Sequence, residues 1–286
     1  MKAKKRNRLF GWLIAVLLLC IGILAIFAWR DRREESEIRD TFYYVALGDS
    51  IPNGYCVSEE ENIEGYPRIL AEELRAEKGM SVSLSEYTKD GITAGGLCEE
   101  YLSDVKVQEE VKRADLITVT AGANDILKRF RELYKEISGE DVKVRDMDNI
   151  FSAFLEKAAE NPELAVKAAE IMSGWEWDDF EKDWQEMMES IRANRREDCR
   201  VIVTALYNPV RHKAELGALN LYIEKQIGRV NDIIMENSEI YGYQAAELGE
   251  AGIEEHLQED GLHPDGNGQK MIAKWVWEQL IQGSGK

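Results

Sequence analysis

Phe42-Tyr43-Tyr44-Val45-Ala46-Leu47-Gly48-Asp49-Ser50 is the stretch on which the reading of this chain turns. An unbroken apolar run stops at a glycine, the pattern of a short strand buried on both faces. Strands buried on both faces belong to parallel sheets covered by helices. Ser50 stands just past the strand, at the edge where such sheets bind their ligands. Outward from this run, Tyr66 to Glu77 has helical spacing through Leu70 and Leu74, and Ser81 to Tyr87 alternates through Val82 and Leu84. Leu116 to Thr120 is a second buried strand, ending at Ala121-Gly122; Val201 to Leu206 is another, and a shorter one lies at Tyr243 to Ala246. Helical patterns fill Asp148 to Ile171, Asp178 to Asn194, Ala218 to Asn237 and Gly268 to Gln282. Alternating strands and helices predict an α/β fold with a parallel sheet of about five strands and helices on both faces. The segment 126–196 is long for one crossover, which predicts a helical insertion of an extra helix or two over the sheet ends. A separate domain of that length would have a marginal core.

The chain has 286 residues, with 36 Lys and Arg against 54 Asp and Glu, a net charge of −18. Its 44% hydrophobic content is enough for a sizeable core and excludes a disordered chain. Its acidity speaks against nucleic acid as a partner, because phosphate binding needs a basic surface. The charge is uneven: Lys2, Lys4, Lys5, Arg6 and Arg8 crowd the start, ahead of an uncharged run from Leu9 to Trp29. A bilayer core takes about 20 such residues as a helix, and basic residues before the span favour an N-terminus inside the cell and a body outside. A cleaved signal peptide is the rival, but its apolar region is usually about 7–15 residues long. Ile26-Phe27-Ala28 is also a poor cleavage site, and Cys20 follows Leu19 where a lipoprotein signal needs a small residue. The expected order is a cytoplasmic tail (1–8), a transmembrane signal anchor (9–29), a charged tether (30–40) and an extracellular body (41–286). Cys56, Cys98 and Cys199 fall in that body with no CxxC pair, so a zinc knuckle or thioredoxin motif is absent. Outside the cell Cys56 and Cys98 can pair; free buried thiols are the other reading.

Four signals carry chemistry. Ser50 is a nucleophile if a base takes its proton, or else a helix N-cap. Asp260-Gly261-Leu262-His263-Pro264 is a turn in which the Asp can fold back onto one imidazole nitrogen, leaving the other as a base; the plainer reading is a surface loop. Gly122-Ala123-Asn124-Asp125 follows a strand and places an amide where it can face a developing oxyanion; Asn124 or Asp125 can equally cap the next helix. Asp90-Gly91-Ile92-Thr93-Ala94-Gly95-Gly96 is a loop whose glycines let backbone N–H groups approach a ligand. There is no P-loop, GxGxxG, HExxH or GxSxG. Each signal is weak alone; together they set a nucleophile, oxyanion donors and an Asp/His pair at successive strand ends of one sheet.

These blocks resemble the SGNH hydrolase superfamily, the GDSL-type lipases and esterases, over about residues 42 to 282. Gly48-Asp49-Ser50-Ile51-Pro52-Asn53-Gly54-Tyr55 looks like the nucleophile block, followed by Gly65-Tyr66-Pro67. Gly122-x-Asn124-Asp125 is similar to the GxND block, Asp260-x-x-His263 to the last block, and Ala205-Leu206-Tyr207-Asn208-Pro209 to a strand end seen in bacterial esterases of this type. The resemblance implies a flavodoxin-like three-layer α/β/α sandwich. It implies Ser50 as nucleophile, His263 as base and Asp260 as its orienting group, with Ser50 N–H, Gly91 N–H and the Asn124 amide as the oxyanion hole. Glu86-Tyr87-Thr88-Lys89-Asp90 departs from the family in lacking an Asn before the oxyanion glycine, so Gly95 and Gly96 stand as alternatives to Gly91. Asp49 is expected to be a structural hydrogen-bonder. No cofactor and no metal follow from the resemblance. It implies an esterase or lipase working through an acyl-serine on a small-molecule, lipid or sugar ester. The alternatives are an O-acyltransferase or deacetylase of cell-wall sugars and an inactive surface binding module.

The remaining candidates take plainer readings. His212 and His256 read as solvated, and so does Glu59-Glu60-Glu61. Trp175, Trp177 and Trp184 read as core packing ahead of a substrate platform.

Overall fold

β1 (Thr41–Gly48) takes the second place in a five-stranded sheet that also holds β2 (Ser81–Thr88), β3 (Leu116–Thr120), β4 (Arg200–Ala205) and β5 (Gln244–Glu247), in the order β2-β1-β3-β4-β5. β1 pairs with β3, β3 with β4 and β4 with β5, all parallel. Gly48 is opposite Thr120, and Thr120 is opposite Thr204, so three strand ends finish level. This is the flavodoxin-like order, and its direction of winding reverses between β1 and β3. The computed structural model describes residues 41–58, 62–79, 81–139 and 161–282, with 154, 157, 158 and 160 between them. The tail 1–8, the expected anchor 9–29, the tether 30–40 and the 59–61 glutamates lie outside the described residues. Among the described residues no helix is long and apolar enough to cross a membrane.

The longer helices whose bounds lie among the described residues are, in chain order, α1 (Tyr66–Lys78), α2 (Val105–Arg113), α3 (Ala123–Ser138), α4 (Pro162–Ser173), α5 (Asp178–Asn194), α6 (Ala218–Glu236) and α7 (Gly266–Gln282), with single turns such as Ser50–Asn53 between elements. Strand side chains alternate between two cores, as the period of two requires. Val45, Leu47, Ile117, Val119, Val201 and Val203 face the larger core, shared with α2 to α6. Tyr44, Ala46, Leu116 and Ile202 face the smaller one under α1 and α7. That smaller layer holds a buried hydroxyl ladder: Tyr44 OH meets Thr118 Oγ1 at 2.8 Å, Tyr66 OH meets Thr120 Oγ1 at 2.8 Å, and Thr204 Oγ1 donates to Thr120 Oγ1 at 2.8 Å. Each hydroxyl finds a partner, which buried polar groups need.

Two departures from the sequence expectation have plain causes. The single helix expected from Asp148 to Ile171 is interrupted. Asn161 Oδ1 accepts from the N–H groups of Glu163 and Leu164, capping a new helix that opens on Pro162, because proline has no N–H to continue the preceding turns. The sequence expectation gives no bounds for α3, the helix after Gly122-x-Asn124-Asp125, and misses α2, although Asp104 caps α2 and Val107 and Val111 share its buried face.

Cys56, Cys98 and Cys199 are all free thiols, so the pairing of Cys56 with Cys98 is not formed. Burial pushes the Cys199 thiol up to about 12, an inert core thiol. The three tryptophans are buried in the larger core. Trp177 Nε1 donates to Gln226 Oε1 and Trp184 Nε1 to Tyr243 Oη. Phe130, Trp175, Trp177 and Phe180 follow one another edge to face. They are packing, and α4 and α5 share a core with the sheet.

Candidate active site

The chain leaves β1 through Asp49 into the single turn Ser50–Asn53. Asp49 is the N-cap: its Oδ1 accepts from Ile51 N–H at 3.0 Å. The cap position being taken by its neighbour, the Ser50 hydroxyl is free for another bond. It meets His263 Nε2 at 2.9 Å, and His263 Nδ1 meets Asp260 Oδ2 at 2.6 Å. All three residues are buried.

The Asp260–His263 turn is built to hold that ring. Asp260 Oδ1 accepts the N–H groups of Leu262 at 2.9 Å and His263 at 3.0 Å while its other oxygen takes the imidazole. Burial alone pushes the Asp260 carboxyl up. The hydrogen bond and charge of His263 and the two backbone donors outweigh it, and the carboxyl is held below its ordinary value. An ionised Asp260 can only accept, so Nδ1 carries the proton and Nε2 is left to accept from the serine.

Four further side chains hold this turn and the serine loop in place. Gln258 Nε2 donates to Tyr55 O at 2.8 Å and Pro264 O at 3.0 Å, and its Oε1 accepts from Val57 N–H at 2.9 Å. Gln269 on α7 is buried; it donates to Ile51 O at 2.8 Å and accepts from Tyr66 N–H at 2.9 Å. Tyr207 Oη donates to Leu262 O, and the Tyr55 ring lies 4.4 Å from the His263 ring. Tyr55 and Tyr207 stand in the blocks that carry the family resemblance, and the sequence signal for Gln269 is a polar residue on the apolar face of α7; Gln258 carries none.

On the opposite side of Ser50, Gly122 adopts φ +112 between β3 and α3, a conformation that favours glycine. Asn124 and Asp125 do not cap the helix they begin. Asn124 Nδ2 donates to Ile92 O at 2.9 Å and lies 3.5 Å from Asp49 Oδ2. Asp125 Oδ2 accepts from Ala94 N–H at 3.2 Å. Both therefore pin the loop after β2, in which Gly91 adopts φ +77 directly before Ile92. Gly95 has a packing role, since a Cβ there would stand 2.5 Å from Asp183 Oδ2. Burial pushes Asp125 up to about 6 and Asp49 up to about 7. His212 is exposed and faces Glu254 Oε1 at 3.4 Å, away from the Ser50 chain.

Beside Ser50 and His263 a cavity runs between α3 and α6. Ser50, His263 and Asn124 line it together with Leu127, Phe130, Leu206, Ile223 and Ile227. The hydroxyl and imidazole thus border an apolar slot.

The family model described as GDSL-like Lipase/Acylhydrolase matches residues 44–276. The chain is 24% identical over 277 residues to the uncharacterized protein YpmR of Bacillus subtilis (strain 168), covering 94% of this chain and 92% of that one. Over 125 residues it is 32% identical to the spore germination lipase LipC of Bacillus licheniformis, 42% of this chain and 56% of that protein. Its fold is similar to that of the lipase Lip_vut3 from a goat rumen metagenome, with a TM-score of 0.58 at 20% identity, covering 85% of this chain and 97% of the other.

Proposed function

The chain belongs to the GDSL-like lipase/acylhydrolase family, an ester-hydrolysing enzyme of that type, and on this footing we propose that it cleaves esters of apolar acyl chains through an acyl-Ser50 intermediate, held at the outer face of a cell membrane. The observation that carries the reading is the hydrogen-bonded chain Asp260–His263–Ser50 beside an apolar slot.

Ser50 Oγ attacks the ester carbonyl carbon as His263 Nε2 takes the hydroxyl proton, and the carbonyl π pair moves onto oxygen. Ser50 N–H, Gly91 N–H and Asn124 Nδ2 are the donors for that oxyanion. Collapse breaks the bond to the alcohol, which leaves with the proton from His263. Water then attacks the acyl-serine by the same route, giving the carboxylic acid and restoring Ser50. Asp260 keeps its charge throughout and holds the proton on Nδ1.

The test is turnover of p-nitrophenyl esters from acetate to palmitate by the full-length protein in detergent. Turnover rising from acetate to esters of intermediate chain length is expected, with Ser50→Ala lower by about 10⁴-fold and a fluorophosphonate probe attached to Ser50. Turnover of acetate alone would point to sugar deacetylation instead, and labelling of another serine would overturn the assignment.

The anchor rests on Leu9–Trp29 and the basic residues before it. Protease added to intact cells is expected to remove residues 41–286. A mature protein in the medium that begins after Ala28 would show cleavage instead.

A further inference from the structure

We propose that Phe130 is the floor of the acyl slot and sets the length of acyl chain the enzyme accepts, selecting medium-chain esters. The inference rests on the esterase reading above and deepens it.

The slot has two facing walls. α3 contributes Ile126, Leu127 and Phe130 and α6 contributes Ile223 and Ile227, residues three and four apart that lie on one helix face. Asn124, near the reacting atoms, and Phe130 belong to the same helix. At about 1.5 Å per residue, Phe130 is roughly 9 Å farther along, the length of about seven methylenes. Leu127, between them, also lines the slot, so its apolar wall continues along the helix down to Phe130.

Phe130 cannot easily yield. Trp175 meets its ring edge to face at 5.4 Å and 88°, and Phe154 packs on it at 5.9 Å and 63°. Trp175 is itself braced: Arg229 donates to its carbonyl oxygen, and Trp177 packs against its ring at 6.1 Å. Neither Trp175 nor Phe154 is among the residues lining the slot. Phe130 is the slot residue farthest along α3 from Asn124, and the aromatic stack packed on it keeps it from swinging aside. Phe154, ahead of α4, and Trp175 and Trp177, in the link between α4 and α5, supply that backing, which gives the long segment after β3 a part in substrate choice although none of these residues lines the slot.

The experiment measures kcat/KM along a series of p-nitrophenyl esters for the full-length protein and for Phe130→Leu and Phe130→Ala. For the unaltered enzyme kcat/KM is expected to climb by about fourfold per carbon, the worth of one buried methylene, and to break near seven or so carbons beyond the carbonyl, the length given by the helix rise. Phe130→Leu should move the break to longer chains by one or two carbons and Phe130→Ala by about three, the depth vacated by the ring. Phe130→Leu keeps an apolar side chain of intermediate size and carries the test should Phe130→Ala fail to fold. A break unmoved in a folded variant, or an equal loss on acetate and on long chains, would overturn the ruler while leaving the esterase reading intact. No turnover of any ester by the unaltered protein would overturn both.

Discussion

Asp49 and Asp260 flank the same serine, both are buried, and their carboxyls are driven in opposite directions. Desolvation acts on both. At Asp260 it is outweighed by an imidazole and two backbone N–H groups, so the carboxylate stays charged. At Asp49 desolvation leads; the Ile51 N–H and the charge of His263 oppose it, and the charges of Asp125 and Asp90 reinforce it, leaving the group near 7. Burial by itself therefore does not decide ionisation; the number of donors aimed at the carboxylate does. The two sides also differ in charge: an ionised carboxylate against the His263 imidazole, and a partly protonated one near the Asn124 amide.

The largest expected effect is on the charged side. Asp260→Asn keeps the shape but loses control of the tautomer, and kcat should fall by about 10³–10⁴-fold; steady-state turnover of a short ester checks it, and a loss under tenfold would remove Asp260 from the catalytic chain. On the other side, Asn124→Ala should lower kcat by about 10²–10³-fold with KM little changed, the loss for one oxyanion donor. A rise in KM at unchanged kcat would make Asn124 a loop tie only.

Asp49→Asn should sharpen the contrast through stability. Between an ordinary carboxylate value near 3.8 and its folded value of about 7, Asp49 holds more proton in the folded chain than in the unfolded one, so its contribution falls as pH rises through that window. Asp49→Asn is expected to match the original near pH 4 and to exceed it by at most a few kcal/mol above pH 7, read as the difference in denaturation midpoint across pH. A gain that grows toward acid would reverse the sign and sink the assignment. Asp260 has the opposite sign: its stabilisation is present above the unfolded carboxylate value and is lost as pH drops through the lower folded one.

The smallest expected effect is the coupling between Asp49 and Asn124. At 3.5 Å their contact is long for a hydrogen bond, so a double-mutant cycle on kcat/KM with Asp49→Asn and Asn124→Ala should return about 0.5 kcal/mol or less. A coupling of about 2 kcal/mol would mean that Asp49 orients the amide directly.

The sequence by itself determined the strands and most of the helices, because a buried strand announces itself in an unbroken apolar run and a helix in its spacing. The runs 42–47 and 116–120 match β1 and β3 almost residue for residue, and Asp178 to Asn194 is α5 end to end. It also pointed to Ser50, Asn124, Asp260 and His263, since each follows a strand or sits in a turn marked by glycine and proline. Helix α2 and the bounds of α3 escaped that reading, though their buried residues fall at helical spacing. Tertiary structure alone decided the rest. It brought Ser50 onto His263 across 213 positions of chain, turned Asn124 toward the Ile92 carbonyl and away from a cap, enlisted Gln258 as a tie between the two loops and Gln269 as a tie from α7 to the serine turn, and left Cys56 and Cys98 unpaired. It set Asp49 and Asp260 apart and opened the slot that ends at Phe130. Local pattern encodes local conformation, whereas burial, donor count and the space between two helices are properties of residues far apart in the chain, and exist only once the sheet has gathered them.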